Sequence, residues 1–342
     1  MRRMIFVLAF AAAGAFAQEA TLEVGDQAPA LSVAKWVKGE PVTFEKGKVY
    51  VVEFWATWCG PCIASMPHVS ELQETYAGKL TVVGVTRADP ANTLEAVEKM
   101  VQEKGPGMGY TVAWDDEGKT YAAYMTAAKQ EGIPASFVVD REGKIAFIGH
   151  PGFLDAPLAR IVAGTWDPVK GPAEMGAVLA RLQEILQMDR RLALDALPAF
   201  EKEHPEFRSF IAPQKFQMLL QEGRMDEASA VGRKIVEKAA KYRDAMQLNE
   251  IGWSIVDPRA DLKERDLDLA FEAATKAVEV TKGEDGAILD TLARAHHWKG
   301  ELKKAIEIQR KAVEKAADDP DMLGELLAAL AEYEAEAASG AK

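Results

Sequence analysis

Cys59 and Cys62 are the only cysteines in this 342-residue chain, and they stand three apart in the run Phe54-Trp55-Ala56-Thr57-Trp58-Cys59-Gly60-Pro61-Cys62. Two cysteines scattered at random over such a length would take that spacing about once in 170 trials. Thiols separated by two residues can close a small disulfide and reopen it without rebuilding the fold, which is the minimum equipment for thiol–disulfide exchange. Such a pair can also be half of a zinc site, but no second cysteine pair and no well-placed histidine pair accompanies it.

The elements around the pair assign the two sulfurs different tasks. An apolar strand, Val49–Trp55, delivers the chain to the motif, and Gly60-Pro61 opens a helix. Proline suits a first helical turn because its missing N–H had no partner there. A thiolate on Cys59 would face the free N–H groups and positive end of that helix, which lowers its pKa. Cys59 is therefore expected to be the exposed attacking thiol, and Cys62, one turn inward, the buried resolving thiol.

From Leu22 to about Ile148 the chain alternates β-type and helical runs. Val49–Trp55, Leu80–Val85 and Ser136–Asp140 read as buried strands, and Ile145–Gly149 as the return strand of a hairpin. Helical periodicity falls at Pro67–Tyr76 and Asn92–Lys104, and a last helix, Asp155–Ala163, closes the unit. This is an α/β pattern with a central sheet. Gly164–Pro172, with two prolines and two glycines, reads as a linker, and everything beyond it is helical, charged and rich in alanine and leucine. The expected division is 18–165, a linker at 166–172, and 173–342.

The helical half repeats itself weakly. Ala228, Ala270 and Ala305 each open the second helix of a hairpin, and Ile235, Ala277 and Ala312 follow seven residues later on the packing face. The alanine spacings of 42 and 35 approach a 34-residue period if Asp257–Asp266 is an enlarged turn. Leu292, Ala293, Gly300, Ala305 and Ala312 resemble the tetratricopeptide pattern of small residues where paired helices touch; a generic helical bundle is the other reading. His296 and His297 are adjacent, so a helix points them apart, one packed and one exposed, rather than at a shared metal.

The N-terminus predicts a compartment. Arg2 and Arg3 precede an uncharged apolar stretch, Met4–Gly14, and Ala15-Phe16-Ala17 fits a small-x-small cleavage site, so 1–17 reads as a signal peptide. The stretch is short for a membrane span, although an uncleaved anchor is the alternative. The expected product is soluble, exported and periplasmic. Removing Arg2 and Arg3 would take the net charge from −12 to −14, which argues against nucleic acid or an anionic membrane as the main partner.

The cysteine run resembles the active site of the thioredoxin superfamily, and residues 22–165 resemble its exported TlpA/ResA-like branch. The resemblance implies an α/β thioredoxin-like fold, a central mixed sheet flanked by helices, followed here by an all-α, tetratricopeptide-like domain. It makes Cys59 and Cys62 the reactive pair, Trp58 the tryptophan packed before it, and Pro67 the proline that kinks the active-site helix. Ile133-Pro134 becomes the isoleucine and cis-proline facing the cysteines. Trp58, Gly60, Pro61, Ile133 and Pro134 would then line the substrate groove, with the residue before the proline offering backbone groups to an extended peptide. Glu53 stands where thioredoxins carry a buried aspartate; a buried carboxyl has a raised pKa and could accept the Cys62 proton, whereas an edge-of-core glutamate would reach solvent. Gly84 replaces the thioredoxin lysine near that acid, and Ser65 replaces a glutamate of some ResA-type relatives, which leaves proton handling to Glu53 and water. Residues 88–130 resemble the strand–helix insert of TlpA-like and peroxiredoxin-like proteins, with Tyr110–Trp114 as strand and Lys119–Ala128 as helix.

The expected function is reduction of disulfides in exported clients through the CGPC dithiol, with no cofactor beyond that dithiol and no metal. By resemblance, a membrane thiol-transfer protein would supply electrons. Gly60-Pro61 between the cysteines is the dipeptide of reducing thioredoxins, so the resemblance implies a reductant. The potential itself is not legible, since 30 mV already corresponds to about 1.4 kcal/mol. An interaction protein whose helical repeats bind a peptide is the rival of another class. A thiol peroxidase is a further alternative, although Ala56-Thr57-Trp58 before Cys59 is the thioredoxin arrangement.

Overall fold

The computed structural model describes residues 21–340, so the apolar run Met4–Gly14 and the cleavage site at 15–17 lie outside the described residues. Six strands, β1 (Lys35–Lys38), β2 (Val49–Phe54), β3 (Leu80–Arg87), β4 (Thr111–Asp115), β5 (Ala135–Val139) and β6 (Ile145–Gly149), form one sheet in the order β1-β4-β3-β2-β5-β6. β2, β3 and β4 run parallel, while β1, β5 and β6 join antiparallel, which gives the expected mixed sheet. Central β2 is buried at every position, as a strand covered on both faces must be.

Alternation along β2 decides which side chains lie under the motif. Tyr50, Val52 and Phe54 face a cluster completed by Val83, Tyr124 and Phe137. Val49 and Val51 face the other side, with Cys62, Met66 and Val69. Glu53 shares the parity of Val49 and Val51, so it points under the reactive helix. Helices α1 (Gly60–Thr75), α2 (Leu94–Lys104), α3 (Lys119–Tyr121, continued by a π turn over Ala122–Thr126) and α4 (Asp155–Ala163) flank the sheet. Pro67 lies inside α1 as expected.

The helical part comprises α5 (Gly171–Leu186), α6 (Arg190–Glu203), α7 (Arg208–Gln221), α8 (Met225–Lys241), α9 (Ala245–Val256), α10 (Leu267–Thr281), α11 (Gly286–Trp298), α12 (Leu302–Lys315) and α13 (Pro320–Ser339). Ala228, Ala270 and Ala305 are each the fourth residue of α8, α10 and α12, and each is fully buried. Ile235, Ala277 and Ala312 are buried with them, and Gly223 and Gly300 turn their hairpins at φ 71° and 77°. Aspartates cap several of these helices; Asp266, for example, accepts from Leu269 N at 2.9 Å and from Ser229 Oγ at 2.7 Å. His296 and His297 take separate carboxylates, Glu301 at 2.8 Å and Glu336 at 2.7 Å, His296 packed and His297 half-buried.

Residues 166–172 differ from the expected linker. α5 already begins at Gly171, and Trp166 is stapled to the sheet, its indole N–H donating to Ala146 O at 2.9 Å and its ring meeting Phe147 edge-on. A large aromatic with a satisfied N–H gains more by packing than by remaining in a solvated tether. The two parts also share core and polar contacts. Ala156 of α4 packs with Leu182, Ile185, Phe200 and Phe207. The end of α8 lies along α1: Lys238 Nζ is 2.6 Å from Glu71, Tyr242 OH donates to Glu74 at 2.9 Å, and Lys241 pairs with the same Glu74.

Candidate active site

The chain leaves β2 through Trp55-Ala56 and reaches α1 with Cys59 as its N-cap residue, in extended conformation at φ −83° and ψ 97°. Cys59 Sγ accepts from Cys62 N at 3.2 Å, so the sulfur occupies the place a serine or aspartate oxygen takes at an ordinary helix start. That is the electropositive end expected to favour a thiolate. The two sulfurs are joined as a disulfide. The Ile133-Pro134 bond is cis, and Ile133 O lies 3.7 Å from Cys59 Sγ.

Cys59 departs from expectation in its exposure, which is only 4%, against 0% for Cys62. Bonded to a buried partner and faced by the Ile133 carbonyl, the outer sulfur is tucked in. The exposed parts of the motif are Trp58, at 56%, with Gly60 and Pro61. The order of accessibility is still Cys59 over Cys62.

Neighbouring loops hold this geometry. Asn92, fully buried, accepts from Thr57 N at 2.9 Å and Thr57 Oγ1 at 2.8 Å, and donates to Thr86 Oγ1 at 2.8 Å. Trp58 Nε1 donates to Asp89 at 3.0 Å. Asn92 and Asp89 escaped the sequence reading; the one local signal was Asn92-Thr93 at a helix start.

Glu53 is 1% exposed, which removes the solvent-reaching alternative. Burial pushes its carboxyl up to about 7, opposed in part by Ser65 and by the charge of His68. Ser65 Oγ is 3.3 Å from Glu53 Oε1 and 2.8 Å from Cys62 O. One hydroxyl proton cannot serve both acceptors, so a protonated Glu53 can donate to Ser65 while Ser65 donates to the Cys62 carbonyl. Ser65 thus bridges the Glu53 carboxyl and the Cys62 backbone carbonyl.

Gly84 has a packing reason. A Cβ there would stand 2.8 Å from Tyr110 Cε2 and 3.0 Å from Trp55 Nε1, so these rings occupy the room a longer side chain would need. Glu53 Oε2, Trp55 Nε1 and Tyr110 OH are all buried without a hydrogen-bond partner among the described residues. Burial, with the nearby Glu53 carboxyl, pushes the Tyr110 phenol well above its ordinary value.

On the outer side of α1, His68 Nε2 is 2.9 Å from Asp155 and its Nδ1 is 3.7 Å from Glu71. Burial alone would lower His68, but the two carboxylates outweigh it and raise it to about 9. Burial would raise Glu71, yet His68 and Lys238 together hold it below its ordinary value. The helical part therefore reaches, through Lys238, the charged cluster of Glu71, His68 and Asp155 on the outer side of α1.

Residues 23–156 match the Redoxin family. Protein FixW of Rhizobium leguminosarum is 29% identical over 188 residues, covering 52% of this chain and 83% of that protein. Thioredoxin-like protein YneN of Bacillus subtilis is 44% identical over 141 residues, 40% of this chain and 76% of its own length. Thiol-disulfide oxidoreductase ResA of Bacillus cereus is 31% identical over 134 residues, 39% of this chain and 72% of its own length. The chain belongs to the ResA-like thiol–disulfide oxidoreductases of the thioredoxin superfamily. As a ResA-like protein it is a disulfide oxidoreductase, and its disulfide-forming CxxC pair heads α1 as that chemistry needs. Among the described residues no helix is long and apolar enough to cross a membrane.

Proposed function

We propose that the protein exchanges disulfides with exported client proteins, acting in the reducing direction. The observation that carries this reading is Cys59 Sγ at the N-cap of α1, with the Ile133 carbonyl 3.7 Å away on the opposite side of the groove. In the reduced protein the Cys59 thiolate attacks one client sulfur, forming a mixed disulfide and releasing the other client sulfur as thiolate. Cys62 loses its proton to the ionised Glu53 carboxylate, which is buried beneath α1. Its thiolate then attacks Cys59 Sγ, closing the Cys59–Cys62 disulfide and releasing the second client thiolate. Two electrons pass to the client, and the two client thiolates take up two protons. Trp58, Gly60, Pro61, Ile133 and Pro134 supply the surface on which the client segment lies.

Export is supported by the basic start, the apolar run and the Ala15-Phe16-Ala17 site. A membrane thiol-transfer protein would then return the dithiol to its reduced state. Helices α7 to α12 are read as tetratricopeptide-like repeats that dock clients, supported by the equivalent burial of Ala228, Ala270 and Ala305.

The test is insulin reduction by the full-length protein and two variants. Cys59→Ser should abolish turnover, and Cys62→Ser should stop after one step with the client held on Cys59 as a mixed disulfide. Turnover by Cys59→Ser at the unaltered rate would sink the proposal.

A further inference from the structure

A cleft of about 780 Å³ lies between the reactive helix and the helical part. That volume is in the range of pockets that bind ligands. One wall is a single stripe of α1: Pro61, between the two cysteines, then Ala64, His68 and Glu71. The opposite wall comes from α7 and α8, including Arg208, Phe210, Lys234 and Lys238. The Glu71–Lys238 ion pair, at 2.6 Å, joins the walls ten residues along α1 from Pro61. At 1.5 Å per residue the groove is about 15 Å long, room for four or five residues of extended chain.

Its charge is not balanced. Each carboxylate lining the cleft already has a partner. Glu71 has Lys238 and His68, Asp155 has His68, and Glu201 has Lys215 at 2.9 Å. Asp244 caps α9 by accepting from Gln247 N at 3.0 Å. Arg208 and Lys234 have no ion-pair or side-chain hydrogen-bond partner among the described residues, and both face the cleft of a protein whose net charge is −12. Phe210, 42% exposed, adds an apolar surface beside them.

We propose that this cleft is a second client subsite, taking an extended, carboxylate-bearing segment of the client polypeptide next to the cysteine engaged by Cys59. This rests on the exchange reading above. Arg208 and Lys234 bind the client carboxylates, and Phe210 covers an apolar side chain between them. The cleft starts at Pro61, so a segment seated in it is continuous with one held against the motif.

The experiment uses the oxidised full-length protein and two dithiol peptides of one Cys-x-x-Cys core, flanked by aspartate and glutamate or by glutamine. Each peptide loses two electrons and two protons to the Cys59–Cys62 disulfide and is released as its own disulfide. Single turnovers are followed with peptide in excess, so KM and kcat are the half-saturating concentration and limiting rate of that one exchange. Dithiothreitol serves as the substrate too small for the subsite. R208E/K234E should raise KM for the acidic peptide at least tenfold with kcat unchanged. It should leave the glutamine peptide within twofold and dithiothreitol unaffected. R208Q/K234Q should give a smaller shift of the same sign, and salt should erase the wild-type preference. Equal KM for both peptides in the wild type, or a loss in the variants shared by both, overturns the subsite while the exchange reading stands. So does a change in sedimentation without a change in KM, which would make a second copy of the chain the occupant. Absence of exchange with dithiothreitol in the wild type overturns the exchange reading, and the subsite with it.

Discussion

Replacing Glu53 by glutamine should change how stability depends on pH, and by a calculable amount. The folded protein holds this carboxyl at about 7 against an ordinary 4.5. A carboxyl raised in the folded state contributes fully below the unfolded pKa, and the contribution is lost as pH rises from 4.5 through about 7. At 1.36 kcal/mol per pH unit the loss is about 1 kcal/mol at pH 5.5, and it levels off at about 3 kcal/mol by pH 8.5. Glutamine cannot ionise, so Glu53→Gln escapes the whole of it. Urea denaturation of both oxidised proteins at the two pH values isolates the effect. Any pH-independent repacking cost cancels in the double difference, as do titrations that do not sense the Glu53 charge. His68 does sense it, so its response is part of the measured difference. Relative to wild type, the variant should gain about 2 kcal/mol between pH 5.5 and 8.5. Carbon-13 labelling of glutamate carboxyls should show one resonance titrating near 7 that the variant lacks. A constant stability gap across the range, with every glutamate titrating in the ordinary region, would refute the burial argument and remove Glu53 as proton acceptor for Cys62.

Two further outcomes follow from the packing. Tyr110→Phe removes a buried hydroxyl that has no partner, so it should be neutral or stabilising by up to about 1 kcal/mol in thermal denaturation, where a tyrosine engaged in a hydrogen bond would show a loss. Gly107→Leu puts a Cβ 2.7 Å from Tyr242 O and must part the turn Gly105–Met108, which Ser70 ties to α1, from the end of α8, raising the radius of gyration in small-angle scattering while exchange with dithiothreitol continues. The exposed Lys241–Glu74 pair at the same junction contributes little by itself, so backbone clash rather than charge removal is the sensitive probe there.

The reactive pair was legible in sequence because its determinants are local: a strand, a tight loop, and a proline in the first turn of a helix. Glu53 stood out as the one acid in an apolar strand, at the position where the resemblance implies a buried carboxyl, and the Asp155–Ala163 helix and Ile145–Gly149 strand appear where their turn signals put them. The partners of these residues were not legible. Asn92 reaches Thr57 across 35 positions and Lys238 reaches Glu71 across 167, separations over which no periodicity carries information. Gly84 read as a missing lysine until Tyr110 and Trp55 were seen to occupy its space. Proline and glycine at 164–172 were true turn signals, but composition could not reveal that Trp166 would fold back onto the sheet.

That fold-back has a consequence for a ResA-like oxidoreductase that acts on disulfide-containing proteins. The sheet ends at β1 and β6, and an open strand edge is a template for adding foreign chain. At the β6 edge the Trp166 indole takes up the Ala146 carbonyl, and its ring covers Phe147. The β1 edge is only four residues long and begins and ends with lysine, at Lys35 and Lys38. Both edges thereby discourage addition of a foreign strand to the sheet.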